Sequence, residues 1–334
     1  TQCYAGSGIS SPSRCALMTG RNTGNTTIRD NFCNAGGIEG MKGTKPIRRM
    51  HLLPNDTTIA TVLSSAGYRT CLVNKWHLDG FNPEATPLNR GFDEFYGWLI
   101  STVYSNDPYY YPYWRFNNEK LENIKENEGD KHIKHNTDLS TEDAIKFINR
   151  NKTNPFFLYL PITAPHTPIL PSKEFQGKTS IGPYGDFVVM IDDMVRQIVK
   201  TLKKNKQLDN TIIVFASDNG CASYIGVKDM EKKGHFPSYI YRGYKSDIYE
   251  GGHRIPLIVS WKGKYGKETN NSLVSLIDFY ATFAQMLNHN LETEEAVDSY
   301  SMWPILSKKG ASARKDLVHE AGEGYLSLRT SQLK

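Results

Sequence analysis

The sequence predicts an α/β protein: a large, mostly parallel sheet sandwiched by helices. Stretches with helical spacing of apolar residues alternate with short β-rich runs, and the clearest runs end just before clusters of polar residues. In open α/β sheets ligands gather beyond the carboxyl ends of the strands, so these clusters should share one site.

Three helix-to-strand units carry the pattern. TTIATVLSSAG (57–67) places Ile59, Val62 and Leu63 on one helical face and reaches a glycine stop, after which TCLV reads as a buried strand. TEDAIKFINRN begins with a capping Thr or Ser and leads into PFFLYLPI, an apolar strand running directly to Ala164-Pro165-His166. FVVMIDDMVRQIVKTLKKNKQL keeps Ile191, Val195, Ile198 and Leu202 in register. NTIIVFAS follows as another buried strand and ends at Asp218-Asn219-Gly220. Between Tyr104 and His135 the chain is polar and tyrosine-rich and reads as a long excursion rather than a core element. Near the carboxyl end LIDFYATFAQML is a helix candidate, and LVHEAGEGYLSLRTSQLK reads as strands of an antiparallel unit.

A chain of 334 residues can bury one large domain with a small appendage. At 39% hydrophobic and 22% charged it has a soluble enzyme's composition, with no apolar run long enough to span a membrane. The net charge of +5 suits anionic substrates, and no Lys/Arg block is dense enough to imply nucleic acid. The five cysteines (Cys3, Cys15, Cys33, Cys71, Cys221) have no metal-ligand spacing and define no disulfide framework.

Gly8 to Arg21 (GISSPSRCALMTGR) reads as a turn, then a helix with Pro12 at its first position. Unpaired N–H groups there could hold an anion beside Ser10 with Arg14 assisting, though a simply capped helix start has the same signature. Ser217-Asp218-Asn219-Gly220 is by local rules a tight turn of hairpin type.

Taken together, five blocks resemble the type I sulfatases. SSPSR followed by TGR resembles their C/S-x-P-S-R signature. GYRTCLVNKWHL resembles GYxTxxxGKWHL, with Asn74 in place of glycine, a residue that tolerates the left-handed conformation. APH, SDNG and RGYKSDIYEGGHRIP follow in the family's own order. The resemblance implies an alkaline phosphatase-type fold, with a catalytic domain over 1–310 and the start of a small carboxyl-terminal antiparallel sheet over 311–334. It nominates Ser10 as the precursor of formylglycine, whose hydrated aldehyde attacks sulfur. A plain serine could accept the sulfuryl group but has no second hydroxyl from which to expel sulfate. Serine here is either a natural precursor or a replacement for cysteine.

Arg14 joins Ser10 as a candidate catalytic residue; by the same resemblance Lys75 holds the oxygen of residue 10, and His77 acts on its hydroxyl during release. His166 protonates the leaving alcohol, as an imidazole titrating near neutrality could. Lys245 contacts the sulfate; the Glu-Gly-Gly-His-Arg turn could equally be structural, with Arg254 bracing neighbouring loops. Asp218 and Asn219, with residue 10, bind one calcium ion. The family's first strand normally ends in two further calcium-binding aspartates; no such pair precedes Ser10, and Asp192-Asp193 lies inside an amphipathic helix.

The expected partners are a sulfated glycan of galactose or N-acetylgalactosamine type, with 6-O-sulfate favoured, and a formylglycine-generating maturation enzyme. His235, Trp114 and Arg115 are the candidate sugar contacts. The expected location is periplasmic or secreted, or lysosomal in a eukaryote. A phosphonate monoester or phosphodiester hydrolase of the same fold, or a non-catalytic glycan-binding relative, are the alternative readings.

Overall fold

The computed structural model describes residues 2–99, 109–307, 310, 312–330 and 332–334. In chain order its elements are β1 (Gln2–Tyr4), α1 (Ser10–Thr19), β2 (Ile38–Lys42), β3 (Lys45–Arg49), α2 (Ile59–Ser65), β4 (Arg69–Lys75), β5 (Glu94–Trp98), β6 (Trp114–Asn117) and β7 (Lys120–Asn123). There follow α3 (Asn136–Arg150), β8 (Phe156–Tyr159), α4 (Pro183–Lys204), β9 (Ile213–Ala216), α5 (Val227–Lys232), α6 (Glu250–His253), β10 (Leu257–Ser260), β11 (Leu273–Ser275), α7 (Phe279–Met286), α8 (Trp303–Leu306), β12 (Asp316–Glu320) and β13 (Leu326–Thr330).

The largest sheet runs β7-β6-β5-β4-β8, with β4 parallel to both β5 and β8 and the β6–β7 hairpin antiparallel at one edge. Shorter pairs are β1–β11, parallel, and β9–β10 and β12–β13, antiparallel. The predicted α/β sandwich is therefore present with a mixed sheet, and its carboxyl-terminal antiparallel unit is the β12–β13 hairpin.

Strand β4 shows how the layers form. Cys71 and Val73 pack with Phe147 of α3 on one face, while Leu72 packs with Cys15 and Met18 of α1 and Ala60 of α2 on the other. This is the two-residue alternation of a strand covered on both sides. Asn74 breaks it. Its φ is 93°, and its side chain bonds Ser140 of α3 at 2.8 Å and Thr163 at 2.9 Å. Regular alternation would send Lys75 towards α3; after the left-handed residue, its ammonium instead reaches Ser10 on α1. Asparagine suffices where the family signature has glycine because it tolerates this backbone.

Several sequence expectations are corrected. Helix α1 starts at Ser10, so Pro12 is its third residue, where a missing N–H is still harmless. Helix α3 starts at Asn136, before the predicted Ser/Thr cap, because His135 accepts from the Thr137 N–H. Ser140 and Thr141 instead donate their hydroxyls one turn back into the helix. The tyrosine-rich stretch is not merely an excursion, since β6 and β7 extend the main sheet. Strand β9 is less buried than its apolar sequence implies, with Val214 38% and Phe215 37% exposed. Among the described residues it pairs only with β10.

Gly97 sits opposite Asn74 in the β4–β5 register with φ 153°, and a Cβ there would lie 2.1 Å from the Asn74 carbonyl oxygen. Gly97→Ala should therefore destabilise the protein by about 3 kcal/mol in urea unfolding. A variant as stable as the parent would contradict the close strand approach that sets Lys75.

Candidate active site

Helix α1 opens on Ile9 in an extended conformation with no side-chain cap, so its first turn is satisfied by tertiary contacts such as Ser11 N–H to Asn31 Oδ1 at 3.0 Å. Ser10 is 3% exposed. Its hydroxyl donates to Asp218 Oδ2 at 2.7 Å and accepts from Arg14 Nε at 3.0 Å and Lys75 Nζ at 3.3 Å. Arg14 is one helical turn on, so the i,i+4 spacing puts guanidinium and hydroxyl on one face. The same guanidinium spans to the Lys75 carbonyl at 3.0 Å and Asp218 at 3.4 Å, tying α1, β4 and the exit of β9 together.

Three cations face one carboxylate. Burial alone would raise the Asp218 pKa, but Arg14, Lys75 and Lys245 more than offset it and hold the group well below its ordinary value of 3.8. Burial, then the Arg14 charge, pushes Lys75 well below its usual range, and burial likewise lowers Lys245. Lys245 is positioned by its backbone N–H, which donates to the Cys221 carbonyl at 2.7 Å.

Two histidines flank this cluster. The Ser11 hydroxyl donates to the His77 carbonyl at 3.1 Å, so His77 Nδ1 donates to Ser11 Oγ at 3.0 Å and Nε2 is the ring's lone-pair nitrogen. The His77 carbonyl also accepts from Arg49, which pairs with Asp79 at 3.5 Å, both buried. This clamp holds His77 at φ 67°. Burial, then the Lys75 charge, pushes its pKa well down.

His166 Nδ1 lies 2.7 Å from the Thr167 carbonyl, which can only accept, so that nitrogen carries the proton. The Tyr109 hydroxyl lies 2.9 Å from the same nitrogen, and Tyr110 donates to the His166 carbonyl at 2.6 Å. Contrary to the near-neutral titration expected from sequence, its pKa is pushed down to about 4, by burial first and then by Lys75 and Lys245.

Ser217-Asp218-Asn219-Gly220 is not a hairpin turn, because β9 pairs with β10, some forty residues on. The segment instead docks on α6: Gly220 N–H donates to the Gly252 carbonyl at 2.9 Å, and a Cβ on Gly220 would lie 1.8 Å from the Gly251 carbonyl oxygen. Asn219 Nδ2 donates to the Gly220 carbonyl, while Oδ1 is buried with no hydrogen-bond partner among the described residues. An unpartnered amide oxygen beside an ionised carboxylate suits a hard cation in kind. With Ser10 Oγ, Asp218 and Asn219 offer fewer oxygens than the six to eight calcium takes. Among the described residues no group of three or more His, Cys, Asp or Glu converges as a metal site.

The three predicted sugar contacts separate. His235 has its ring 6.1 Å from that of Tyr184, in the first turn of α4. Trp114 packs against Trp98, Ile124 and Leu139, and Arg115 pairs with Asp143 of α3 and with Glu122. Both are engaged in holding β6 to the fold. Residues 104–108 of the same predicted stretch lie outside the described residues. Arg254 pairs with Glu250, one turn back, at 3.3 Å and lies over the Tyr241 ring.

Sequence reasoning missed Ser11, Tyr109 and the Arg49–Asp79 pair. None stands out by local pattern. Each acts on a residue distant in sequence, so only Ser11, next to Ser10, lay within reach of a motif.

A hydroxyl held by two cations and a carboxylate, where strands of an α/β sheet end, is the layout of a site for an anionic ester. The chain belongs to the sulfatase family, whose family model matches residues 1–289. It is 31% identical over 350 residues to an arylsulfatase of Hemicentrotus pulcherrimus, spanning 100% of this chain and 60% of the relative. It is 32% identical over 347 residues to an N-acetylgalactosamine-6-sulfatase of Sus scrofa, spanning 99% of this chain and 63% of that protein. The chain thus spans somewhat under two thirds of the length of both. A solved structure from work on glycosaminoglycan metabolism by Bacteroides thetaiotaomicron superposes with a TM-score of 0.82 at 27% identity, over 99% of this chain and 78% of that one.

Asp218→Asn removes the shared countercharge and leaves Arg14, Lys75 and Lys245 facing one another. It should cost about 2 kcal/mol in urea unfolding at pH 7, less than for a sealed pair because Asp218 is a third exposed. A carboxylate held below 3.8 stabilises the fold above that pH and loses its contribution as pH falls towards the lower folded value. The gap between variant and parent should therefore close below pH 4; a gap constant down to pH 2 would refute the charge assignment.

Proposed function

We propose that the protein hydrolyses sulfate esters of a carbohydrate, a galactose or N-acetylgalactosamine 6-O-sulfate in a polysaccharide or glycosaminoglycan. The observation that carries this reading is the excess of positive charge around Ser10 and Asp218: Arg14 and Lys75 bond the Ser10 hydroxyl, and with Lys245 they face Asp218 alone. Such a centre binds a compact anion and stabilises charge developing on its oxygens. The sugar is supported by the Sus scrofa relative, named for N-acetylgalactosamine-6-sulfate. His235, Trp114 and Arg115 are the proposed sugar contacts; Trp114 and Arg115 also hold β6 to the fold.

Arg14 and Lys75 hold the oxygen of residue 10 and orient it towards sulfur, and Lys245 follows a sulfate oxygen. His77, with its lone pair on Nε2, accepts the proton from the residue-10 hydroxyl. His166, once protonated, donates from Nε2 to the leaving alcohol while the Thr167 carbonyl keeps Nδ1 engaged. Formylglycine at position 10, made by a maturation enzyme, would supply an attacking hydroxyl and a second one for release of sulfate. Asp218 and Asn219 would hold calcium with residue 10, the remaining ligands coming from elsewhere. In this reading residues 1–310 form the catalytic domain and 311–334 begin the carboxyl-terminal sheet. Export to a periplasm, an extracellular space or a lysosome accords with such substrates, and no helix among the described residues is long and apolar enough to cross a membrane.

The test pairs mass measurement of the residue-10 peptide from the native host with assays on 6-O-sulfated N-acetylgalactosamine, an aryl phosphonate and a phosphodiester. Loss of two hydrogens at residue 10 and preferential sulfate release are expected, with Lys245→Ala lowering kcat/KM by about 100-fold or more. Faster phosphonate or phosphodiester cleavage, or binding of sulfated glycan without release by a protein with unmodified Ser10, would overturn the reading. Independently, inorganic sulfate should raise the His166 pKa from about 4, followed by NMR, because an anion offsets Lys75 and Lys245. An unmoved titration would place the anion elsewhere.

A further inference from the structure

One pair of buried histidines has no part in this chemistry. His319 on β12 lies against His253 of α6, ring centroids 4.4 Å apart and planes 8° from parallel, with Tyr4 packed on His319 at 4.9 Å. The two residues are 1% and 0% exposed. All four imidazole nitrogens are buried with no hydrogen-bond partner among the described residues. Ring lone pairs lie in the ring planes, so two parallel imidazoles cannot converge on one ion, and the pair is not a metal clamp. Unpartnered polar groups in such a place are a stability cost that apolar side chains would avoid.

The hairpin carrying His319 reaches the candidate active site. At its turn, the Gly322 N–H donates to the Ser246 carbonyl at 2.9 Å, and the Ser246 N–H donates to the Gly8 carbonyl at 2.9 Å. Ser246 adjoins Lys245, and Gly8 lies two residues before Ser10. Ser246 has φ 76°, a left-handed conformation that a serine side chain disfavours, and these bonds engage its N–H and its carbonyl. A Cβ on Gly322 would come 3.2 Å from Ser246 Cβ and 3.8 Å from Ile9 Cγ2, so the turn lies flat against both segments.

We propose that the β12–β13 hairpin is an acid-releasable brace on the active site: docked, it positions Lys245 through Ser246, and protonation of the His253–His319 pair releases it. The charged groups around the pair favour this direction. Lys334 acts on both rings and Arg329 of β13 on His319, and both are positive. The nearby carboxylate, Glu250, is already shared among Tyr4, Arg254, Arg329 and Lys334. Burial first, then Lys334, holds His253 at about 3; burial, then His253, Lys334 and Arg329, holds His319 well below its usual range. Released, both rings would return towards the ordinary 6.5 and take up two protons. The docked form is therefore fully favoured above about pH 6.5 and loses ground as pH falls below it.

The brace stands on this geometry and not on which ester is cleaved, so its test needs no turnover. Hydrogen exchange of the full-length protein is followed by mass spectrometry from pH 7 to 4.5 and corrected for the intrinsic pH dependence. The opening constant of the 316–330 amides should rise about 100-fold between pH 5.5 and 4.5, two protons' worth. Protection at Lys245 and Ser246 should fall with it, while β4 stays protected. His319→Phe keeps a stacked ring and removes one proton, so the rise should drop to about tenfold. Ser246→Gly relieves the left-handed strain, so the Lys245 amide should stay protected when the hairpin opens. A hairpin whose opening ignores pH, one that opens without disturbing Lys245, or one that opens only together with β4 would each overturn the proposal, and the parent's profile alone decides the first and third.

Discussion

Much of the site's architecture depends on one charge arrangement: Arg14, Lys75 and Lys245 converge on Asp218, with the Ser10 hydroxyl at the centre. Like charges brought this close repel, and the repulsion grows as water is excluded. The groups can stay together only because each is fixed by a rigid element: a buried helix start, the end of the central strand, and two loops locked to α6. Asp218 supplies part of the missing countercharge; the rest is left for a ligand. Binding power and strain thus have the same origin.

Geometry follows from that requirement. A strand of regular alternation would bury the Lys75 ammonium against α3. Asn74, left-handed and anchored to Ser140 and Thr163, turns the strand end so that it meets α1 instead. Gly97 permits this by letting β5 approach the Asn74 carbonyl. The departure from the family's glycine is therefore compensated: asparagine forgoes some backbone freedom and gains two side-chain hydrogen bonds that fix the turn.

The cluster of Ser10, Arg14, Lys75 and Asp218 was legible in the sequence because each residue lies in a compact motif at the end of a recognisable strand or the start of a helix. The α/β layering was legible because the apolar periodicities are strong. What escaped was whatever depends on distant pairing. Among the described residues β9 pairs only with β10, which leaves Val214 and Phe215 exposed, and no local pattern encodes that. The β6–β7 hairpin hid in a polar, tyrosine-rich stretch because an edge hairpin needs little apolar alternation. His135 displaced the expected cap of α3 because an imidazole can accept a helix N–H as well as a hydroxyl can. Aromatic and guanidinium groups serve packing and recognition alike, and the packing partners of Trp114 and Arg115, in Trp98 and Asp143, are visible only once the chain is folded.

The low proton affinity of His166 is at first sight wrong for the proton donor we propose, since a neutral ring protonated on Nδ1 has nothing to donate from Nε2. The causes of the shift resolve this. Burial is permanent, but the contributions of Lys75 and Lys245 are electrostatic, and an anion seated between those ammonium groups cancels them. Anion and proton are therefore linked: each raises the affinity for the other, as thermodynamic reciprocity requires. The empty site keeps its imidazole neutral and avoids adding a further positive charge to a cluster already in excess. An occupied site would draw a proton to Nε2, the nitrogen left available by the Thr167 carbonyl. In the proposed reaction, the charge imbalance that would bind the anion would thus also time the arrival of the acid.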